Sequence, residues 1–234
     1  MQIRSFVIAY ALVLAILLFA DRRPGSMPQD RYSHVVDLTA EQDAGAKQLA
    51  AAHSESRSEG SKSGESHSGE SKTRIIAPGA LIPGTWSAGQ IPPERLVAPL
   101  VVMDLSAPNG TNSQISLDDI AAWESQHGII PQGAVVAIRR SRTSDTQSTS
   151  FPIARDAAEF LIDARYTIGF AVETNVDLAL DRTLARQLAL HGSYVLEGAA
   201  RFESLPTTSS LIIVAPAKNK TTGEVPVRIL AMVR

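Results

Sequence analysis

Between Leu96 and Val233 the sequence switches repeatedly between a strand-like and a helix-like hydrophobic period, and this switching restricts the fold more than any single motif. LVAPLVVMDLS (96–106), GAVVAIRR (133–140), YTIGFAVET (166–174), SYVLEGA (193–199), SLIIVAPAK (210–218) and VPVRILAMV (225–233) are apolar and β-branched enough to be strands. Helical stretches lie among them. SLDDIAAWESQHG opens on Ser116 as N-cap, places Asp118 and Asp119 in its first turn and stops at Gly128. RDAAEFLIDA (155–164) reads as a second helix, and LDRTLARQLALHG (180–192) as a third, with Leu184, Leu188 and Leu190 near helical spacing and Gly192 as its stop. Alternating strands and helices that end in neighbouring strands imply an α/β fold, with a mixed sheet and flanking helices. At 234 residues and 44% hydrophobic, the chain can bury one sizeable core as a single domain.

Upstream, SHVVDLTAE adds a first strand over Val35 to Leu38, and AEQDAGAKQLAAAH is compatible with a helix. The N-terminus, MQIRSFVIAYALVLAILLFADRRPG, sets one Arg before an unbroken apolar run from Phe6 to Ala20. Residues 1–20 have the layout of a secretory signal, and the run is short beside the roughly 20 residues of a membrane span. Leu18 stands where a small residue is usual before cleavage, so a cleaved signal and an uncleaved signal anchor both stay open. The chain is expected to be exported, periplasmic or secreted, and to meet a membrane only through this segment. Residues 21–31 read as a linker and 32–234 as the domain. Within it, about 53–72 is a Ser, Gly, Glu and Lys tract with no apolar residue to offset the entropy of ordering, so it reads as a flexible surface segment in which His53 and His67 are solvated.

Several chemistries are excluded. A net charge of -2 with scattered basic residues gives no footprint for nucleic acid. Without cysteine there is no disulfide, thiolate metal site or cysteine nucleophile. No G-x-S-x-G elbow, phosphate-binding glycine loop or H-E-x-x-H occurs. His127 and His191 sit at helix ends, where a cation suits the helix dipole. Asn109-Gly-Thr and Asn219-Lys-Thr match glycosylation acceptors.

Six ordered phrases carry a family resemblance: RYSHVVDLT, IPGTWSAGQIPPERLVAPLVVMDLS, ISLDDIAAWESQHGIIPQGAVVAIR, DAAEFLIDARYTIGFAVET, SYVLEGAARFESLP and VAPAKNKTTGEVPVRILAMV. Together they resemble the cyclase family of metal-dependent hydrolases, which includes kynurenine formamidase and isatin hydrolase. The resemblance implies a swivelling β/β/α-type fold, homo-oligomeric assembly, a small aromatic ligand, and hydrolysis of amides such as N-formylkynurenine by water bound to zinc or manganese.

The family's metal loop, H-x-G-T-H-x-D-x-P-x-H, falls on ESKTRIIAPGAL (70–81). Thr73, Ala77 and Pro78 keep its frame. The resemblance places the ligand positions on Glu70, Arg74, Ile76 and Ala80, a further family histidine on Ala185, and the family glutamate on Glu197. Ile76, Ala80 and Ala185 offer no lone pair, and a guanidinium at Arg74 is charged and purely a donor. No metal cofactor is therefore predicted. Glu197 is left without a metal and must be paired, solvated or protonated. Two arrangements are open: an ion pair between Arg74 and Glu197 across the site, or a displaced loop with Arg74 in solvent.

Glu197 is the first candidate catalytic group, and Glu173 and Asp177 could also serve as acid/base groups. Trp86, Glu173 and Asp177 are candidate pocket residues, with capping or solvated roles also open to the two acids, while Trp123 is expected in the core. Three functions fit the sequence: a silent family member retained as a binding or assembly module, a remodelled arylformamidase-type hydrolase using Glu197, Glu173 or a histidine of the Ser-rich tract, and a decayed sequence without selected function.

Overall fold

In the computed structural model the described residues are 32–40, 73–104, 114–139, 150–218 and 223–234. The signal and linker, the helix-compatible piece beyond residue 40, the Ser-rich tract with Glu70, the NGTNSQ turn up to residue 113, the polar loop up to residue 149 and both glycosylation triplets lie outside them.

The strands are β1 (His34–Asp37), β2 (Arg74–Ile76), β3 (Val97–Asp104), β4 (Val135–Arg139), β5 (Gly169–Val172), β6 (Tyr194–Glu197), β7 (Ser210–Pro216) and β8 (Glu224–Val233). The helices are α1 (Pro78–Leu81), α2 (Leu117–His127), α3 (Arg155–Arg165) and α4 (Arg182–Leu190). Strands β3 to β6 are parallel neighbours, and the remaining pairings are antiparallel. The expected mixed α/β architecture is therefore present.

Strand β8 closes the sheet. It pairs with β7 from Val227 to Val233 and with β2 from Glu224 to Pro226, so that β8-β2-β6-β5-β4-β3-β7 forms a ring of seven strands. β1 pairs with Leu230 to Val233. Val227 donates its N–H to the Thr73 carbonyl and Ile229 accepts from the Leu38 N–H. Residues two apart on a strand point their backbone groups to the same side, so β1 and β2 follow one another along the same edge of β8. Residues 34–39 and 73–76 act as two halves of one strand.

Thr73 ties the halves together. Its fully buried hydroxyl donates to the Gly198 carbonyl at 2.7 Å and accepts from the Ala40 N–H at 2.8 Å.

Period-two alternation divides the apolar residues between two cores. Ile75, Leu100, Val102, Val135, Leu196 and Ile229 fill the ring interior. Ile76, Val101, Met103, Val136, Phe170 and Val195 face outward and are covered by Ile120, Leu161, Leu184 and Leu188 of the helices. Central strands buried on both faces need continuous apolar runs, whereas β8 keeps Glu224 and Arg228 exposed on its outer side. Gly169 is required by proximity, because a Cβ there would stand 2.5 Å from the Tyr194 ring.

The helix signals operate as read. Ser116 accepts from the Asp119 N–H and the Asp119 carboxylate returns the bond, a complete capping box, and Gly128 ends α2 at φ 89°. Asp181 caps α4 through the N–H groups of Thr183 and Leu184. Leu190 departs from expectation: it is 60% exposed, because six residues from Leu184 carries it around the helix, away from the buried Leu184 and Leu188.

Thr73→Val keeps the side-chain shape but leaves the Ala40 N–H and Gly198 carbonyl without their partner. A loss of about 1–3 kcal/mol is expected, read as a lower urea midpoint with an unchanged m-value.

Candidate functional site

Adjacent antiparallel strands set the centre of the site. Arg74 on β2 stands directly opposite Glu197 on β6, so both side chains leave the same, outer face. Arg74 Nη2 donates to Glu197 Oε2 at 3.2 Å. Of the two arrangements open from the sequence, the pair is the one adopted. The Val176 N–H donates to the other carboxylate oxygen, Oε1, at 2.7 Å. Arg74 Nη1 also lies 3.6 Å from Glu224 Oε2, across the diagonal to β8.

Burial is unequal, with the Glu197 side chain 1% exposed and that of Arg74 33%. Burial pushes the Glu197 carboxyl above its ordinary value, against the lowering effect of the Val176 N–H and the Arg74 guanidinium, and Glu224 pushes it further up.

The other positions of the family motif separate into two surroundings. Ile76 shares the Arg74 face and packs into the outer core with Leu184, Leu188 and Val195. Ala80 on α1 and Ala185 on α4 line one open cleft of about 480 Å³, with Leu81, Ile82, Leu178, Ala179, Arg182 and Arg186 as its other walls.

Zinc or manganese, which the family implies, needs three or four fixed lone-pair donors. Of the described motif positions only Glu197 supplies any, and both its oxygens already accept hydrogen bonds. Among the described residues no group of three or more His, Asp or Glu converges. The described side chains at these positions do not fit such a metal.

Trp86, Glu173 and Asp177 do not line the cleft. Asp177 is a cap, accepting from the Ala179 N–H at 2.9 Å. Trp86 lies 5.6 Å beneath the Arg95 guanidinium and against Gly192, where a Cβ would approach its ring to 2.7 Å. Arg95 in turn donates to the His191 and Gly192 carbonyls that end α4. Trp123 packs at the edge of the outer core, as expected, with Nε1 donating to the Val102 carbonyl and its ring stacked on His127.

Sequence reasoning missed Glu224, the Val176 N–H and the arginines of α4. The arginines had a local signal, being i,i+4 on a helix, whereas Glu224 and Val176 meet Glu197 and Arg74 only through strand pairing and loop placement.

Comparison with known proteins identifies the family and the fold. The Cyclase family, described as “Putative cyclase”, matches residues 35–177. This chain belongs to that family. Isatin hydrolase A from Labrenzia aggregata, solved bound to benzyl benzoate, is 26% identical with a TM-score of 0.63, over 86% of this chain and 93% of that one. Isatin hydrolase A from Ralstonia solanacearum is 29% identical with a TM-score of 0.60, over 69% of this chain and 71% of that one. A predicted metal-dependent hydrolase from Bacillus stearothermophilus, 21% identical at a TM-score of 0.58 over 86% and 98% of the two chains, shares the fold. Among curated proteins none matches.

Glu197 binds its proton more tightly in the folded chain than in the unfolded one, where the ordinary value is 4.5. Its contribution to stability is thus fully present below pH 4.5 and lost as the pH rises through the folded value. Arg74→Met removes the counter-charge and raises that value further. It should cost about 2 kcal/mol at pH 8, below the usual range for a fully buried pair because Arg74 is partly solvated. The cost should shrink at pH 4, and adding Glu197→Gln should recover most of it at pH 8. Urea midpoints of the wild type, the two single variants and the double variant at both pH values check this.

Proposed function

We propose that this chain is a catalytically silent Cyclase-family protein that uses the family fold as a binding module for a small aromatic ligand, assembled as a homo-oligomer and exported by residues 1–20. The observation that carries the reading is the Arg74–Glu197 pair. A guanidinium occupies a ligand position of the family loop and, with the Val176 N–H, satisfies the family glutamate. Metal-assisted hydrolysis needs an open coordination position for an activated water, and this arrangement supplies no donors for one. The aromatic ligand is supported by the isatin hydrolases, whose structures carry benzyl benzoate and the product analogue thioisatinate.

A remodelled hydrolase has one observation in its favour, the raised pKa of Glu197, which is the property of a general acid. Two features weigh against it. Glu197 does not line the cleft, and both of its oxygens are engaged.

The test is metal analysis of the purified full chain, followed by assays of N-formylkynurenine and isatin hydrolysis with added zinc or manganese. The expected result is substoichiometric metal and no turnover above the uncatalysed rate. Stoichiometric metal with turnover, or metal-free turnover lost in Glu197→Gln, overturns the reading.

A further inference from the structure

We infer that the cleft between α1 and α4 is a binding site for an organic anion with an apolar body, whose charged group is held by Arg182 and Arg186. The inference rests on the binding-module reading and specifies its ligand.

The walls of the cleft divide sharply by chemistry. Among the described residues, Ala80, Leu81, Ile82, Leu178, Ala179 and Ala185 are small or aliphatic walls, Arg182 and Arg186 contribute the only charges, and no carboxylate lines the cleft.

The arginines are spaced i,i+4 on α4, so their head groups repel along one helix face. Arg182 is also the first residue of the helix, where the dipole disfavours a cation. Nearby acids are already engaged. Asp181 caps α4 and pairs with Arg155 at 2.8 Å, and Asp177 caps the turn at Ala179. Among the described residues neither Arg182 nor Arg186 has an ion-pair or hydrogen-bond partner. Two like charges on the rim of an apolar cleft, unmatched by an acid, form an arrangement that a bound anion relieves.

The volume, about 480 Å³, is that of a small-molecule site. Guanidinium groups suit the ligand on two counts. Their forks accept a carboxylate bidentately, and their planes stack on an aromatic ring. The alanines at positions 80 and 185 matter here because they keep that wall apolar and short where longer polar side chains would intrude into the cleft.

The probe is 2-naphthoate, with 2-naphthamide as its neutral counterpart, titrated by fluorescence into the full chain at low salt. Tighter binding of the naphthoate is expected, with a loss of about tenfold per arginine removed in Arg182→Ala and Arg186→Ala. Lysine substitutions should restore part of the affinity, and Ala185→Trp should block both probes. Unchanged melting temperatures of the arginine variants, whose side chains are exposed, establish that they fold. Equal affinity for the two probes, no binding of either, or naphthoate binding indifferent to the double arginine variant overturns the inference. Those results leave the silent reading standing, whereas turnover in the hydrolysis assays removes that reading whatever the naphthoate does.

Discussion

Strand β8 has hydrogen-bonding partners along both edges, and the rest of the fold hangs on that fact. One edge takes β7 over seven residue pairs and the other takes β2 and then β1. An open sheet leaves unpaired backbone groups at its margins, and closing the ring between β7 and β2 satisfies them internally. The line formed by β1 and β2 is interrupted in sequence by residues 41–72, and Thr73 holds its two halves in register. A buried hydroxyl with both a donor and an acceptor role is suited to that task.

The same register creates the site. With β2 and β6 antiparallel and Arg74 opposite Glu197, an acid buried to 1% exposure meets a guanidinium with no choice of partner. Pairing does not make the acid comfortable. Its carboxyl is still held above the ordinary value, because the burial of Glu197 outweighs the lowering by the Val176 N–H and the Arg74 guanidinium. Beside the pair, Ile76 packs into the outer core and Ala80 and Ala185 line the cleft, whose charge among the described residues comes from Arg182 and Arg186 of α4.

Legibility followed the range of the physics. Ser116, Gly128, Gly192 and the apolar, β-branched runs of β3 to β8 act over a few residues, and the elements they announce are present. Leu190 was misplaced because near-helical spacing is not the same as a shared face, and its angular offset from Leu184 decides its exposure. The Arg74–Glu197 pair is one of the two arrangements open from the sequence only because the family resemblance places both residues at one site. Their separation of 123 residues carries no local signal. Glu224 and the Val176 N–H had neither kind of signal.

By itself, the sequence determined an α/β chain without thiol chemistry, with a mixed sheet and three helices, and it set Arg74, Ile76 and Ala80, which offer no lone pair to a metal, where the family resemblance expects ligands. Tertiary structure decided that the sheet closes, that Arg74 turns toward Glu197 rather than solvent, and that two alanines and two arginines share one cleft. Periodicity and caps are local consequences of backbone geometry. Closure, register and the meeting of side chains depend on contacts between residues far apart in the chain.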